Sequence, residues 1–211
     1  MVIGVAAAIA VAGYLAVELR APVATASAEE PAKTPKNTGS LAGPAFLLDF
    51  TKRQDRDSHY LADYEMDEDW IKIAFRSSNI SFGKEGMTLS MLRTRGDKLP
   101  VAGAEFQRSG TYGYGRYEVV MKAADGYGAI SSFFIYTGGH FGDPHDEIDF
   151  EFLGKSPRHV HLNYFKDGDN TPVDVPLWFD TGMSDHLYAF EWAPDSIRWY
   201  VDGVKVHEVS A

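Results

Sequence analysis

Short β-type runs separated by turn residues fill the chain from residue 46 onward, and no stretch shows a sustained apolar period of 3.6 residues. Residues 87–92, 117–122 and 130–137 are each apolar or alternating runs that predict strands. We predict an all-β domain, either a sandwich or a barrel.

The strongest local signal is a hairpin near the end of the chain. Residues 197–201 and 204–209 are strand-like, and Asp202-Gly203 separates them. An Asp-Gly pair readily adopts the positive φ angles that a type I′ turn requires. The two runs are therefore predicted to pair as antiparallel neighbours.

Residues 145–151 read His-Asp-Glu-Ile-Asp-Phe-Glu, which spaces three carboxylates two residues apart. In an extended chain, alternate side chains share a face, so Glu147, Asp149 and Glu151 lie on one side and Ile148 and Phe150 on the other. Adjacent carboxylates repel and raise one another's pKa, which can leave a protonated acid beside an ionised partner. The run predicts either a catalytic strand or a solvated acidic sheet face.

Composition narrows the class of partner. The 211 residues fit one all-β domain, and the net charge of −10 with a pI near 5.1 argues against nucleic acid, whose phosphates need clustered Lys and Arg. The absence of cysteine excludes disulfides and thiolate zinc sites. We expect a neutral partner and a monomer.

The N-terminal segment resembles an export signal. Residues 2–17 are apolar or small, and an Ala-Ser-Ala sequence at residues 26–28 precedes two glutamates. Residues 1–28 are predicted to be a signal peptide cleaved after Ala28 or an uncleaved membrane anchor, and either would make the protein extracytoplasmic. Residues 29–44, rich in Pro, Lys and small side chains, are predicted to be a flexible linker before a domain over residues 45–211.

Aromatic residues are more numerous than one core face of each strand needs, and neighbours in sequence must point to opposite faces. Some rings should therefore line the outer face, where with amides such as Asn163 they suit a neutral sugar polymer. The rings in question are Phe133, Phe134, Tyr136, Tyr164, Phe165, Trp178, Phe179, Trp192, Trp199 and Tyr200.

The run at residues 145–154 resembles the active-site strand of glycoside hydrolase family 16, and further segments match the family in the same order. Together they cover about residues 46–211. The resemblance implies a concanavalin-like β-jelly-roll sandwich of two antiparallel sheets with a concave substrate cleft. The supporting segments are residues 102–105, 112–118, 131–138, 162–165, 190–192 and 199–203.

The resemblance implies that Glu147 is the nucleophile, Glu151 the general acid/base and Asp149 the auxiliary carboxylate between them. A retaining glycosidase needs its two carboxyl groups about 5 to 5.5 Å apart, whereas four residues of strand span about 13 Å between Cα atoms. The two Glu side chains must therefore lean toward each other across Asp149.

The resemblance also implies a β-glucan or related exopolysaccharide as substrate, with no required cofactor and a structural calcium ion as an allowed addition. The implied sugar contacts are Glu105, Phe134, Tyr136, His145, Asn163 and Phe165. Within the family, the pattern favours an endo-1,3-1,4-β-glucanase or an exopolysaccharide glycanase. His145 and Gln107 are departures from lichenases, and the alternative is a xyloglucan-type transglycosylase.

Two other functions compete with the glycosidase hypothesis. His159 and His161 share a strand face as in metal-dependent cupins, but no Glu follows at the spacing that such a site needs. A non-catalytic, lectin-like glucan-binding module is the second. Family members are expected to continue for about 40 to 50 residues beyond the final hairpin, so the C-terminal strands are predicted to be missing.

Overall fold

The computed structural model describes residues 4–10, 15–19, 45–55, 59–69, 71–95, 98–108, 110 and 112–210. Within them the chain forms strands and three short 3₁₀ turns, Arg53–Asp55, Ser77–Asn79 and Gly139–Phe141. The strands are β1 Gly4–Ala10, β2 Leu15–Leu19, β3 Tyr60–Leu61, β4 Tyr64–Asp67, β5 Lys72–Phe75, β6 Ile80–Gly83, β7 Gly86–Arg93, β8 Val101–Arg108, β9 Gly115–Lys122, β10 Ile130–Thr137, β11 Asp146–Leu153, β12 His159–Lys166, β13 Asp169–Asn170, β14 Val173–Pro176, β15 His186–Ala193, β16 Ser196–Val201 and β17 Val204–Ser210.

The strands form two layers of a jelly-roll sandwich. The first layer runs β3, β8, β1, β10, β11, β12, with β13 and β14 both paired to β12. The second runs β6, β7, β2, β9, β15, β16, β17. The expected all-β sandwich is confirmed.

The two layers are linked at one end, where β7 pairs with β8 through Leu92 opposite Ala102. The short hairpin of β4 and β5 also joins β8 there. Pairing between β5 and β8 is parallel, which differs from the expected purely antiparallel sheets. A parallel pair requires a long connection between its strands, and β6 and β7 lie in that connection.

The predicted strands and hairpin are present. Residues 87–92 lie in β7, residues 117–122 in β9, and residues 130–137 coincide with β10. Asp202 and Gly203 have φ angles of 49° and 80°, as the type I′ turn between β16 and β17 requires. Asp202 also donates its backbone N–H to the carbonyl of Leu187 at 2.8 Å, which ties the turn to β15.

The core lies between the layers and is rich in aromatic rings. Phe150 and Phe152 of β11 face Tyr188 and Phe190 of β15, and all four side chains are almost fully buried. Phe150 lies 5.7 Å from Tyr188 and 6.4 Å from Phe190 between ring centroids. This packing places the apolar face of β11 inside and its opposite face on the outer, concave side of the first layer.

One side-chain hydrogen bond joins the second layer directly to β11. Trp199 of β16 is buried and donates its indole N–H to the backbone carbonyl of Asp149 at 3.1 Å. A buried indole N–H needs an acceptor, and this bond supplies it. The middle of β11 is therefore held in position from behind as well as by its neighbours in the sheet.

The N-terminal predictions stay predictions. Within residues 1–28, β1 pairs with β8 and β10, and β2 pairs with β7 and β9. The linker predicted over residues 29–44 lies outside the described residues. In the described part of the chain, no helix has the length and apolarity that a membrane span requires.

Candidate active site

The acidic strand has the two faces that its sequence predicts. Ile148, Phe150 and Phe152 are buried in the core, at most 5% exposed. Because side chains alternate along a strand, Glu147, Asp149 and Glu151 point to the opposite, concave face. These side chains are only partly exposed, and Asp149 is buried. The concave face therefore holds three largely desolvated carboxyl groups on one strand.

Glu147, Asp149 and Glu151 form an acidic column along β11. The neighbouring strands extend this column into three cross-strand rows. Each row has one residue from β10, one from β11 and one from β12 directly opposite one another. Side chains opposed in this way have Cβ atoms about 4.5 to 5.5 Å apart. The rows are Tyr136, Glu147 and Phe165; Phe134, Asp149 and Asn163; and Ser132, Glu151 and His161.

Glu147 is held by His145, which lies two residues earlier on the chain. The His145 Nε2 atom is 2.8 Å from Glu147 Oε2. The imidazole stacks on Phe165 at 4.1 Å between ring centroids, with 15° between the ring planes, and meets the edge of Tyr136 at 5.3 Å. Two aromatic rings thus fix the orientation of the group that contacts the predicted nucleophile.

Opposing influences act on the protonation of Glu147. Burial raises its pKa above the ordinary value, and the negative charges of Glu151 and Glu105 act in the same direction. The hydrogen bond and charge of His145 lower it. His145 therefore favours the ionised form that a nucleophile needs.

Asp149 is the most strongly perturbed of the three carboxyl groups. Burial raises its pKa to about 9, helped by the charges of Glu147 and Glu151 and opposed by a hydrogen bond from the backbone of Asn163. Among the described residues, its Oδ1 atom has no hydrogen-bond partner. Asp149 is therefore protonated at neutral pH and can donate a hydrogen bond within the acidic column.

Glu151 has a raised pKa because it is buried, while the nearby charge of His161 lowers it. A raised pKa suits a general acid, which must carry a proton near neutral pH. Glu147 has an imidazole at hydrogen-bonding distance, whereas Glu151 faces a histidine across the strand pair. This difference in surroundings favours Glu147 as the anion and Glu151 as the acid.

Glu105 lies farther from the acidic column, on β8, with β1 between β8 and β10. Its side chain is 4% exposed, and it accepts hydrogen bonds from the Tyr64 hydroxyl at 2.6 Å and from the Gln107 amide. Burial raises its pKa, and these two hydrogen bonds lower it. The structure thus presents Glu105 as part of a buried network beside the cleft.

The remaining predicted contact residues surround the column. Phe134 and Tyr136 are half-buried on the concave face of β10. Asn163 is buried beside Asp149, and its side-chain oxygen accepts the backbone N–H of Thr171 at 3.1 Å. Their contacts with sugar stay predictions, as do those of His145, Phe165 and Glu105.

Two site residues were not among the predicted contacts. The sequence predicts His161 only as a candidate metal ligand, although its spacing of two from Asn163 places both on one strand face. Tyr64 carries no sequence signal, because 41 residues separate it from its partner Glu105. Only the tertiary fold brings that pair together.

The described residues contain no group of three or more His, Cys, Asp or Glu side chains arranged to hold a metal ion. His159 and His161 therefore lack the further ligands of a cupin-type centre in this part of the chain. The structural calcium ion that the resemblance allows stays a prediction.

The chemistry available to the column is that of paired carboxyl groups. One anion, one acid and a neutral carboxyl between them can attack an electrophilic carbon and protonate the oxygen that leaves it. Aromatic rings beside the carboxyl groups suit a ligand with apolar faces as well as hydroxyl groups.

The chain is similar in sequence and in structure to known β-glucanases. A β-glucanase of Bacillus licheniformis is 47% identical over 135 residues, which are 63% of this chain and 55% of that protein. A solved structure of a Bacillus licheniformis β-glucanase has a TM-score of 0.67 and 41% identity, covering 73% of this chain and 72% of that one.

A prokaryotic β-1,3-1,4-glucanase (lichenase) from a mouse hindgut metagenome superposes with a TM-score of 0.63 at 34% identity, covering 72% of this chain and 78% of that one. The chain spans about half the length of the curated relatives it matches. The family described as "Glycosyl hydrolases family 16" matches residues 67–211, which include the whole acidic strand. This chain belongs to glycosyl hydrolase family 16.

Proposed function

We propose that this protein is a retaining endo-β-glucanase that hydrolyses mixed-linkage 1,3-1,4-β-glucan. The observation that carries the proposal is the acidic column of β11, in which burial raises the pKa of all three carboxyl groups and only Glu147 is paired with an imidazole at hydrogen-bonding distance, that of His145. Similarity to a β-1,3-1,4-glucanase and to several bacterial β-glucanases supports this choice of substrate.

In the first step, a carboxylate oxygen of Glu147 attacks the anomeric carbon and forms a covalent glycosyl ester. The bond from that carbon to the glycosidic oxygen breaks, and the oxygen takes the proton of Glu151 as it leaves. His145 opposes the rise in the Glu147 pKa that burial causes, and so favours the anionic form of the attacking carboxylate before the step. The neutral Asp149 adds no third negative charge between the two reacting groups.

In the second step, Glu151 acts as the base. It removes a proton from water, the water oxygen attacks the anomeric carbon, and the ester bond to Glu147 breaks. Glu147 leaves as a carboxylate and Glu151 regains its proton, so both groups return to their starting states. A sugar hydroxyl in place of water would give transglycosylation through the same intermediate.

The test is reducing-sugar release by the full chain from mixed-linkage β-glucan, laminarin and xyloglucan. We expect release from mixed-linkage glucan, with Glu147→Gln slowing turnover by about a thousandfold or more while binding is retained. Binding without hydrolysis by the wild type would support the lectin-like alternative. A Glu147→Gln variant with a tenth of wild-type activity would exclude Glu147 as nucleophile.

The acid/base assignment has its own test. Glu151→Ala should be inactive on the polymer but should regain activity on an activated aryl glycoside when azide is added, because that leaving group needs no acid and azide needs no base. The product should be a glycosyl azide of retained anomeric configuration. An inverted product would contradict the retaining mechanism.

We further propose that the protein acts outside the cytoplasm on a neutral polysaccharide and as a monomer. The apolar segment of residues 2–17 with Ala-Ser-Ala at residues 26–28 supports export. The net charge of −10 supports a neutral polymer over a polyanionic one. N-terminal sequencing of the exported protein tests whether cleavage follows Ala28, which would remove β1 and β2 from the two layers. Light scattering tests the monomer.

A further inference from the structure

The row of Glu151 contains more ionisable side chains than the mechanism uses. Glu151 on β11 lies directly opposite His161 on β12, and His161 lies directly opposite Asp174 on β14. The carboxylate of Asp174 is 3.8 Å from His161 Nδ1. Three adjacent strands therefore present an acid, an imidazole and a second acid side by side.

His161 shares the concave face with the acidic column. Its neighbours in sequence, Val160 and Leu162, are fully buried in the core, so the imidazole points the other way. The His161 side chain is 31% exposed and that of Asp174 is 62% exposed. The imidazole thus lies between the desolvated acid/base and a solvated carboxylate.

Ionisable and polar side chains from three strands surround His161. Glu151 faces it from β11, with Asp149 one row away, and Asp174 faces it from β14. His159 and Asn163 flank it on the same face of its own strand. Among these side chains, the imidazole of His161 is the positively charged group directly opposite Glu151, and its charge favours the ionised form of Glu151.

We propose that His161 is a positioning residue for the acid/base: supported by Asp174, its imidazole stabilises the carboxylate that Glu151 becomes after it protonates the leaving oxygen. That carboxylate forms in a desolvated site beside Asp149, where an unpaired charge is costly. The inference rests on the proposed glycosidase function, because it assigns His161 a part in that reaction.

The first test needs no turnover. The pKa of Glu151 is measured by ¹³C NMR of the side-chain carboxyl groups, with the Glu151 signal assigned by its loss in Glu151→Gln. In His161→Gln this pKa should rise by about half a unit, the size expected for a partly exposed charge pair. In His161→Lys, where the positive charge persists at all working pH values, it should fall.

Opposite shifts from the two substitutions distinguish an electrostatic role from a structural one, since a packing defect at one site would not change sign with the charge introduced. His159→Gln is the matched control, because it lies on the same strand face one row farther from Glu151 and is exposed. It should leave the Glu151 pKa within about 0.1 unit of wild type. A shift equal to that of His161→Gln would overturn the inference.

The second test measures how the reaction rate depends on pH. The basic limb of kcat/KM against pH reports the general acid, so on mixed-linkage glucan it should move up by about half a pH unit in His161→Gln. On an activated aryl glycoside, which needs no acid, the profile should be unchanged. A changed KM with an unmoved basic limb would make His161 only a sugar contact.

The two experiments separate this inference from the proposed function. Suppose that the wild type hydrolyses glucan but the pKa of Glu151 is unchanged in both His161→Gln and His161→Lys. That result would overturn the role of His161 and leave the proposed function intact. Inactivity on every glucan would overturn the function, while opposite NMR shifts would still support the pairing of His161 with Glu151.

Discussion

At the scale of single residues, His145 is the contact that most affects the predicted nucleophile. It hydrogen-bonds Glu147 at 2.8 Å while burial acts against the anion. Stacking on Phe165 restricts the ring to this orientation. Its charge and hydrogen bond both favour the reactive form of Glu147.

His145→Ala should therefore move the acidic limb of kcat/KM to higher pH. Removing a hydrogen bond to a charged group raises the Glu147 pKa, and a change of about one unit is expected. Below that limb, activity should fall more than it does at neutral pH. His140→Ala, an exposed histidine in the Gly139–Phe141 turn, serves as control. An acidic limb that stays in place would show that His145 does not tune Glu147.

The protonation of Asp149 affects the stability of the fold. Its pKa is about 9 in the folded protein against an ordinary 3.8, because burial disfavours the anion. The folded state thus keeps a proton that the unfolded chain releases above about pH 4. This contribution is fully present below the unfolded pKa and is lost as the pH rises toward the folded pKa.

Asp149→Asn should remove that pH dependence, since an amide cannot ionise. Between about pH 5 and 8, the free energy of unfolding of the wild type should fall relative to the variant by up to about 1.4 kcal/mol per pH unit. Urea unfolding at several pH values measures the difference. Parallel curves for the two proteins would mean that Asp149 is not the buried neutral acid described above.

At the scale of elements, β11 ends against another segment of backbone. Gly154 follows β11, donates its N–H to the carbonyl of Ala129 at 2.9 Å and accepts the N–H of Gly126 at 3.3 Å. A Cβ atom on Gly154 would overlap the Gly126 carbonyl oxygen and lie 2.9 Å from its nitrogen. Backbone atoms cannot move aside as a flexible side chain could.

Gly154→Ala should consequently destabilise the fold by about 1 to 3 kcal/mol, the usual cost of forced overpacking. Gly83→Ala is the matched control, because a Cβ there meets nothing within 4 Å and no positive φ is required. Urea unfolding of the two variants should separate them clearly. Equal stabilities would show that the turn after β11 can relax without cost.

At the scale of the whole molecule, the two layers act together on the site. Trp199 belongs to the second layer, yet its indole N–H donates to the backbone of Asp149 in the first. The ring is 1% exposed and sits directly behind the acidic column. Packing between the layers therefore helps to fix the position of the carboxyl groups.

Trp199→Phe should cost about 2 to 4 kcal/mol, because it leaves a cavity and removes a buried hydrogen bond. We also expect a lower kcat on mixed-linkage glucan. Trp178→Phe, at a ring that is 54% exposed, should change stability by less than about 0.5 kcal/mol. A Trp199 variant as stable as the Trp178 variant would contradict the support described here.

Local sequence patterns were enough to predict much of the secondary structure of this protein. Alternation along residues 147–151 assigned the carboxylates to one strand face, and Asp202-Gly203 specified the final hairpin, because both depend only on residues adjacent in the chain. The resemblance carried by residues 145–154 led to the family. It could not show how each carboxyl group is protonated.

The tertiary structure decided what depends on residues far apart in sequence. The pairing of Tyr64 with Glu105, the indole bond from Trp199 to Asp149 and the parallel pairing of β5 with β8 have no local signal. Protonation in the column likewise depends on burial and on neighbours from other strands, which exist only once the sheets have formed. The sequence by itself determined the strand and its acidic face, and the fold decided which of those acids carries the proton.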